Sequence, residues 1–258
     1  MSNTAESERP KGALPRVMSR CGDGLIPELE DTYLVKESAW SRLAKIAGKI
    51  VFDFAEATPD IDQGQQRSCT YSALLHCVEE RRMEAGLDNI LLAQCTGYAW
   101  DYINSSGVLI PRRNGLTGMA LDFAIIVSRM VGGIPASEVD PLDYMRRNWK
   151  SDWKVKAYRN SVDEWRDCSS GMNKIVSSLC QAVPILHGWN GHSRMLVEFD
   201  TTNNRFKYRN TYGLDFGDKG FGWLSWAQVD SGRQIYGAFA PITVRDPKGE
   251  GDVPEKTN

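Results

Sequence analysis

Asp62-Gln63-Gly64-Gln65-Gln66-Arg67-Ser68-Cys69-Thr70-Tyr71-Ser72-Ala73 is the stretch on which the reading of this chain turns. A polar, glycine-containing loop runs into a segment, Cys69 to Ala85, that lacks Gly and Pro, is rich in Ala, Leu, Glu and Arg, and is closed by Gly86. That composition predicts a helix, and the helix starts at the cysteine. At a helix N-terminus the unpaired backbone N–H groups and the positive end of the dipole favour a thiolate, the nucleophilic form of the side chain. Taken alone, a cysteine there is better explained as a small buried apolar side chain.

A nucleophilic thiol needs a base. Of the three histidines, His76 lies seven residues along the same helix as Cys69, about 10 Å away at roughly 1.5 Å per residue, which assigns it to packing. Gly191-His192-Ser193 precedes the apolar run Met195-Leu196-Val197, so His192 is placed at the start of a strand. His187 lies five residues earlier and stays a second candidate, since the register of the strand is open. Further on, Asn210-Thr211-Tyr212-Gly213 follows Phe206-Lys207-Tyr208-Arg209 and precedes Phe216-Gly217-Asp218-Lys219-Gly220-Phe221. By itself an Asn-x-x-Gly is a turn signal.

In order, a glutamine six positions before a cysteine, a small-residue–His–small-residue block before a strand, and an Asn-x-x-Gly block before a glycine-aromatic turn resemble the papain-like cysteine peptidase family. The resemblance runs from about Phe52 to Ile242 and is concentrated in those three blocks. It implies a two-lobed α+β fold, with a helical N-terminal lobe, an antiparallel sheet or barrel lobe and a cleft between them. It further implies that Cys69 is the nucleophile, His192 its base, Asn210 the group that orients His192, and Gln63 a donor to the oxyanion together with the Cys69 N–H. Phe52-Asp53-Phe54 resembles the start of the mature domain, and Arg113-Asn114-Gly115-Leu116-Thr117-Gly118 the glycine-rich wall of the substrate cleft. Gln66 stands where secreted members usually carry a disulfide cysteine, and Cys95 resembles its abandoned partner. Thr70 replaces the aromatic residue after the nucleophile and Tyr212 the indole that shields the Asn–His bond, from which a less hydrophobic, wetter cleft is expected.

Outward from the motifs, Glu37 to Lys49 carries apolar residues at helical spacing, and further helices are predicted over about Thr117 to Met130 and Met172 to Cys180. Beyond Ala182 the texture turns to short strands: Val183 to His187, Arg194 to Phe199, Arg205 to Arg209, Gly222 to Ser225 and Ile235 to Ile242, with Asn203-Asn204 marking a hairpin. Helices first and strands later argue for an α+β protein with a site between its halves. The expected division is an arm with a short helix over 1–50, a peptidase-like domain over 51–243 (helical lobe about 51–170, sheet lobe about 171–243) and a disordered tail over 244–258.

With 258 residues, 31 Lys+Arg and 33 Asp+Glu, the chain can bury a substantial core, and its net charge of -2 offers no attraction to phosphate backbones or anionic lipid. Nucleic acid and membrane partners are not expected. The N-terminus lacks the basic start and apolar run of a secretory signal, and no stretch is long enough to span a bilayer, so a cytoplasmic protein is expected, alone or within a larger particle. Cys21, Cys69, Cys77, Cys95, Cys168 and Cys180 contain no CxxC pair and no zinc spacing with the histidines, so free thiols are expected, with no metal and no organic cofactor. Asn104-Ser105-Ser106 is a sequon that fits a loop. The first 50 residues lack the long helical pattern of the family's inhibitory propeptide, leaving an arm that docks on the body, on another protein or across the cleft.

The expectation is therefore a cysteine-type peptidase acting on a polypeptide substrate. Two other readings stay open: a catalytically weak or inactive binding protein on the same fold, and an amidase- or transglutaminase-like acyl transferase that differs only in its acceptor.

Overall fold

The computed structural model describes residues 11, 13–16, 26–58, 60–64, 66–97, 118–143 and 149–245. Cys21, the sequon, the cleft-wall residues 113–117 and the tail from 246 on lie outside them. Among the described residues the strands are β1 (Ala13–Leu14), β2 (Met119–Ala120), β3 (Val162–Asp167), β4 (Ile185–Trp189), β5 (His192–Asp200), β6 (Arg205–Arg209), β7 (Phe221–Ser225) and β8 (Ala238–Val244). The helices are α1 (Glu37–Ala57), α2 (Cys69–Glu84), α3 (Leu121–Val131), α4 (Trp153–Tyr158), α5 (Met172–Cys180) and α6 (Trp226–Ile235).

Six strands form one antiparallel sheet in the order β3-β8-β4-β5-β6-β7, and the sheet is open rather than a closed barrel. Its two faces are read directly from alternation. Leu186, Met195 and Val197 enter the core shared with α2 and α3, while Ile185 and Leu196 enter the core shared with α5 and Ala44 of α1. A sheet covered on both faces needs apolar residues at every position, which is why Met195-Leu196-Val197 runs without a polar break. The register of β5 against β6 slips between Leu196 and Glu198. The slip changes the phase of the pleat, so that Phe199 falls on the α5 side and stacks on Phe206.

Helix α1 continues through Phe52-Asp53-Phe54 to Ala57, so the boundary placed at residue 50 falls inside it. It packs on β5 and α5 and buries Ala44, Ala47, Gly48, Val51 and Ala55. An added Cβ at Gly48 would lie 2.8 Å from Glu198 Cγ, so glycine is what lets the helix approach the strand. The sheet half also begins earlier than residue 171, since β3 pairs with β8 from Val162 onward. At its other end, Arg245 donates its backbone N–H to Ser161 and packs its guanidinium on Tyr158, so the fold extends past residue 243. Helix α6, capped by a reciprocal Ser225–Gln228 box, replaces the start of the last expected strand.

No helix among the described residues is long and apolar enough to cross a membrane.

Candidate active site

Cys69 is the first residue of α2 and is fully buried. The loop before it is held from two sides. Gln63 donates its backbone N–H to the Thr211 carbonyl at 2.9 Å, and its side-chain oxygen accepts from the Thr211 hydroxyl at 2.5 Å. Ser72, one turn into α2, donates to Gln94 Oε1 at 2.7 Å, and Gln94 Nε2 donates to the Asp62 carbonyl at 3.0 Å. In this state the Gln63 side-chain nitrogen donates to the Gln66 carbonyl. Thr211 and Gln94 support the loop without any sequence motif of their own to announce it.

His192 opens β5 and is also fully buried. Its Nε2 lies 2.7 Å from Asn210 Oδ1. The same Oδ1 accepts the Thr211 backbone N–H at 2.7 Å, which identifies that atom as the amide oxygen. An oxygen that only accepts requires the proton to sit on Nε2, leaving the lone pair of the neutral imidazole on Nδ1. Burial holds His192 well below the usual histidine range, the Arg194 cation and Lys11 push the same way, and only the bond to Asn210 opposes them. Arg194 is itself buried, its guanidinium over the rings of Tyr208 and Trp189 and donating to the Trp189 carbonyl.

Helix and sheet are joined beside these two residues. Thr70 Oγ1 lies 3.0 Å from Ser193 Oγ and donates to the Met119 carbonyl at 2.8 Å. The residue after the cysteine thus meets the residue after the histidine. Thr70 is fully buried and Tyr212 is 1% exposed, with its ring stacked on His192 at 4.5 Å. This corrects the expectation of a wetter cleft: Thr70 spends its hydroxyl on internal bonds, and the phenol covers the imidazole as an indole would.

The other histidines lie elsewhere. His187 turns its Nε2 to the Val229 carbonyl of α6 at 3.1 Å and packs on Gly232, and burial brings it to about 3, so the second candidate for the base is a core residue. His76 is buried in α2 beside Glu79, as its spacing implied. Cys69, Cys77, Cys95, Cys168 and Cys180 are buried and in no disulfide, and no cluster of metal-ligating side chains occurs among the described residues.

The described residues 13–16 of the arm dock on this same chain. Strand β1 pairs in parallel with β2, and Ala13 donates its N–H to the Gly191 carbonyl at 2.9 Å, immediately before His192. Farther along, Arg16 pairs with Asp167 at 2.7 Å and donates its backbone N–H to Ile235. Residues 13–14 therefore bridge the approach to α3 and the approach to β5, the two segments that also contact Thr70 and Ser193.

No protein-family model matches this sequence, and no curated protein matches it. Solved structures do. Xylellain, a cysteine protease from Xylella fastidiosa, superposes with a TM-score of 0.61 at 16% identity, covering 92% of this chain and 98% of that one. The digestive procathepsin L 3 of Tenebrio molitor gives 0.55 at 17% identity over 92% of this chain and 77% of that one. The procathepsin B S9 of Trypanosoma congolense gives 0.58 at 12% identity over 93% and 88%. The chain thus has the papain-like cysteine protease fold.

Proposed function

We propose that the protein is a cysteine-type peptidase that cleaves peptide bonds through Cys69 and His192. The observation that carries the reading is the His192–Asn210 bond, at 2.7 Å, set at a strand start tied to the start of the cysteine helix through Thr70 and Ser193. In this mechanism the thiol proton of Cys69 passes to His192 Nδ1, and the thiolate attacks the scissile carbonyl. The oxyanion of the tetrahedral intermediate is met by the Gln63 side chain and the Cys69 N–H, an arrangement worth about 10²–10³ in rate. The imidazolium then protonates the leaving amine, and water, activated by the neutral imidazole, releases the acyl group. Asn210 keeps the ring in the tautomer that leaves Nδ1 as the base. No metal or organic cofactor enters the scheme.

Hydrolysis of a denatured protein, followed by mass spectrometry of the peptides, tests the reading. Wild type should produce new termini that Cys69→Ala and His192→Ala do not, while Asn210→Ala should retain a small fraction of the rate. One observation favours a second reading, a binding protein on this fold: Cys69 and His192 are both fully buried, with the arm beside them. Fold does not guarantee activity, and equal peptide yields from wild type and Cys69→Ala would favour that alternative.

A further inference from the structure

One atom of the site, the unprotonated Nδ1 of His192, has a second neighbour. Tyr212 Oη lies 3.2 Å from His192 Nδ1, the nitrogen that must take the thiol proton. The two rings stack at 4.5 Å with planes 20° apart, and Tyr212 is in turn braced edge-on by Phe216 at 5.9 Å and by a backbone bridge to Asp62. Neutral Nδ1 has a lone pair and no proton, so the phenol must be the donor.

We propose that Tyr212 is a positioning residue whose hydroxyl donates to His192 Nδ1 and competes with the Cys69 thiol for that lone pair, restraining the base at neutral pH. The inference rests on the reading of His192 as the base. An indole at this position has no group that can donate in the same way, so the restraint belongs to the tyrosine of this chain. The balance is simple: when the thiol proton moves to Nδ1, thiolate and imidazolium form, Nδ1–H ceases to accept, and Tyr212 keeps its own proton but loses its acceptor. The hydroxyl therefore stabilises the neutral pair at the expense of the ion pair. Arg194 from β5 and Lys11 from the arm act in the same direction on the ring, Cys69 lies at the start of α2, and His76 approaches the Asn210 backbone from the same helix, itself kept neutral by burial and Arg209.

Nitrogen NMR of the histidine rings in a Cys69→Ala background tests the bond without relying on the thiol. Replacing Tyr212 by Phe should move the His192 Nδ1 resonance toward that of a free lone pair and raise the pH at which the ring protonates. Unchanged shift and titration would overturn the proposal. In the Cys69-containing protein, Tyr212→Phe should speed iodoacetamide labelling of Cys69 at pH 5.5 about threefold to tenfold, the worth of one hydrogen bond, and move the acid limb to lower pH. Tyr212→Trp, which keeps the shielding ring without the hydroxyl, should do the same. Slower or unchanged labelling in both variants would refute the restraint. Should labelling be independent of His192 while the NMR shift persists, the peptidase reading fails and the hydrogen bond stands.

Discussion

Thr70 donates to the Met119 carbonyl and meets Ser193 Oγ at 3.0 Å, so one hydroxyl ties α2 both to the approach of α3 and to the start of strand β5. Removing it leaves a buried carbonyl and a buried hydroxyl short of a partner, a loss of about 1–3 kcal/mol. Thr70→Val should therefore lower the melting temperature and also slow Cys69 labelling, because the cysteine and histidine ends are no longer drawn together. Unchanged labelling in the folded variant would show that the tie serves stability alone. At this scale the sequence marked Gln63, Cys69, His192 and Asn210 as candidates, through a Gln–Cys spacing of six and the order of the three blocks. It was silent about Thr70–Ser193, Thr211–Gln63 and the Tyr212 hydroxyl, since each is a contact between residues far apart in the chain with no pattern linking them.

Helix α2 is unusual as an element, because Cys69 through Glu80 are all buried and two adjacent carboxyls go into the interior with them. Burial pushes Glu79 and Glu80 up to about 8, against the opposing pull of the Leu92 N–H and Arg209 on the first and of Arg81 on the second. A carboxyl whose folded value is raised above the unfolded one stabilises fully below about pH 4.5 and loses that contribution as the pH rises through 8. The buried histidines run the other way: with folded values depressed, their contribution is complete above about 6.5 and is lost as the pH falls below it. Glu80 has no hydrogen-bond partner for either oxygen among the described residues, so Glu80→Gln removes only the alkaline penalty. Its melting temperature should match wild type at pH 5 and exceed it at pH 8.5; a variant less stable at pH 8.5 would contradict the assignment. Element existence was legible from composition for α2, α5, β5 and β6. Helix α6 and strand β3 were not, because Trp226–Ile235 carries only Val229 and Gly232 on a buried face and β3 gains its place from pairing with β8.

Across the whole molecule, helices and one antiparallel sheet combine, and α1 and residues 13–16 pack on the body. Residues 13–16 join the two sides of the fold next to His192, through Gly191, β2, Asp167 and Ile235. No sequence pattern announces this docking, because Ala13 is held through backbone pairs, which any residue except proline can make, and Arg16 pairs with an aspartate far away in the chain. Ala13→Pro deletes the N–H that reaches Gly191 and should loosen this closure, with faster labelling of Cys69 by a bulky reagent and little change in global stability. Equal rates for the variant and wild type would mean that the arm does not limit access.

The proposed function requires that Cys69 and His192 form one reactive unit. Intact-mass labelling with an epoxide inactivator of cysteine proteases tests it most directly, comparing Cys69→Ala and His192→Ala with the parent, both in wild type and in the Ala13→Pro background. A single adduct on Cys69 should form rapidly once the arm is loosened and almost vanish with His192→Ala. Slow adducts spread over several cysteines, or labelling of Cys69 that is indifferent to His192 in both backgrounds, would contradict it.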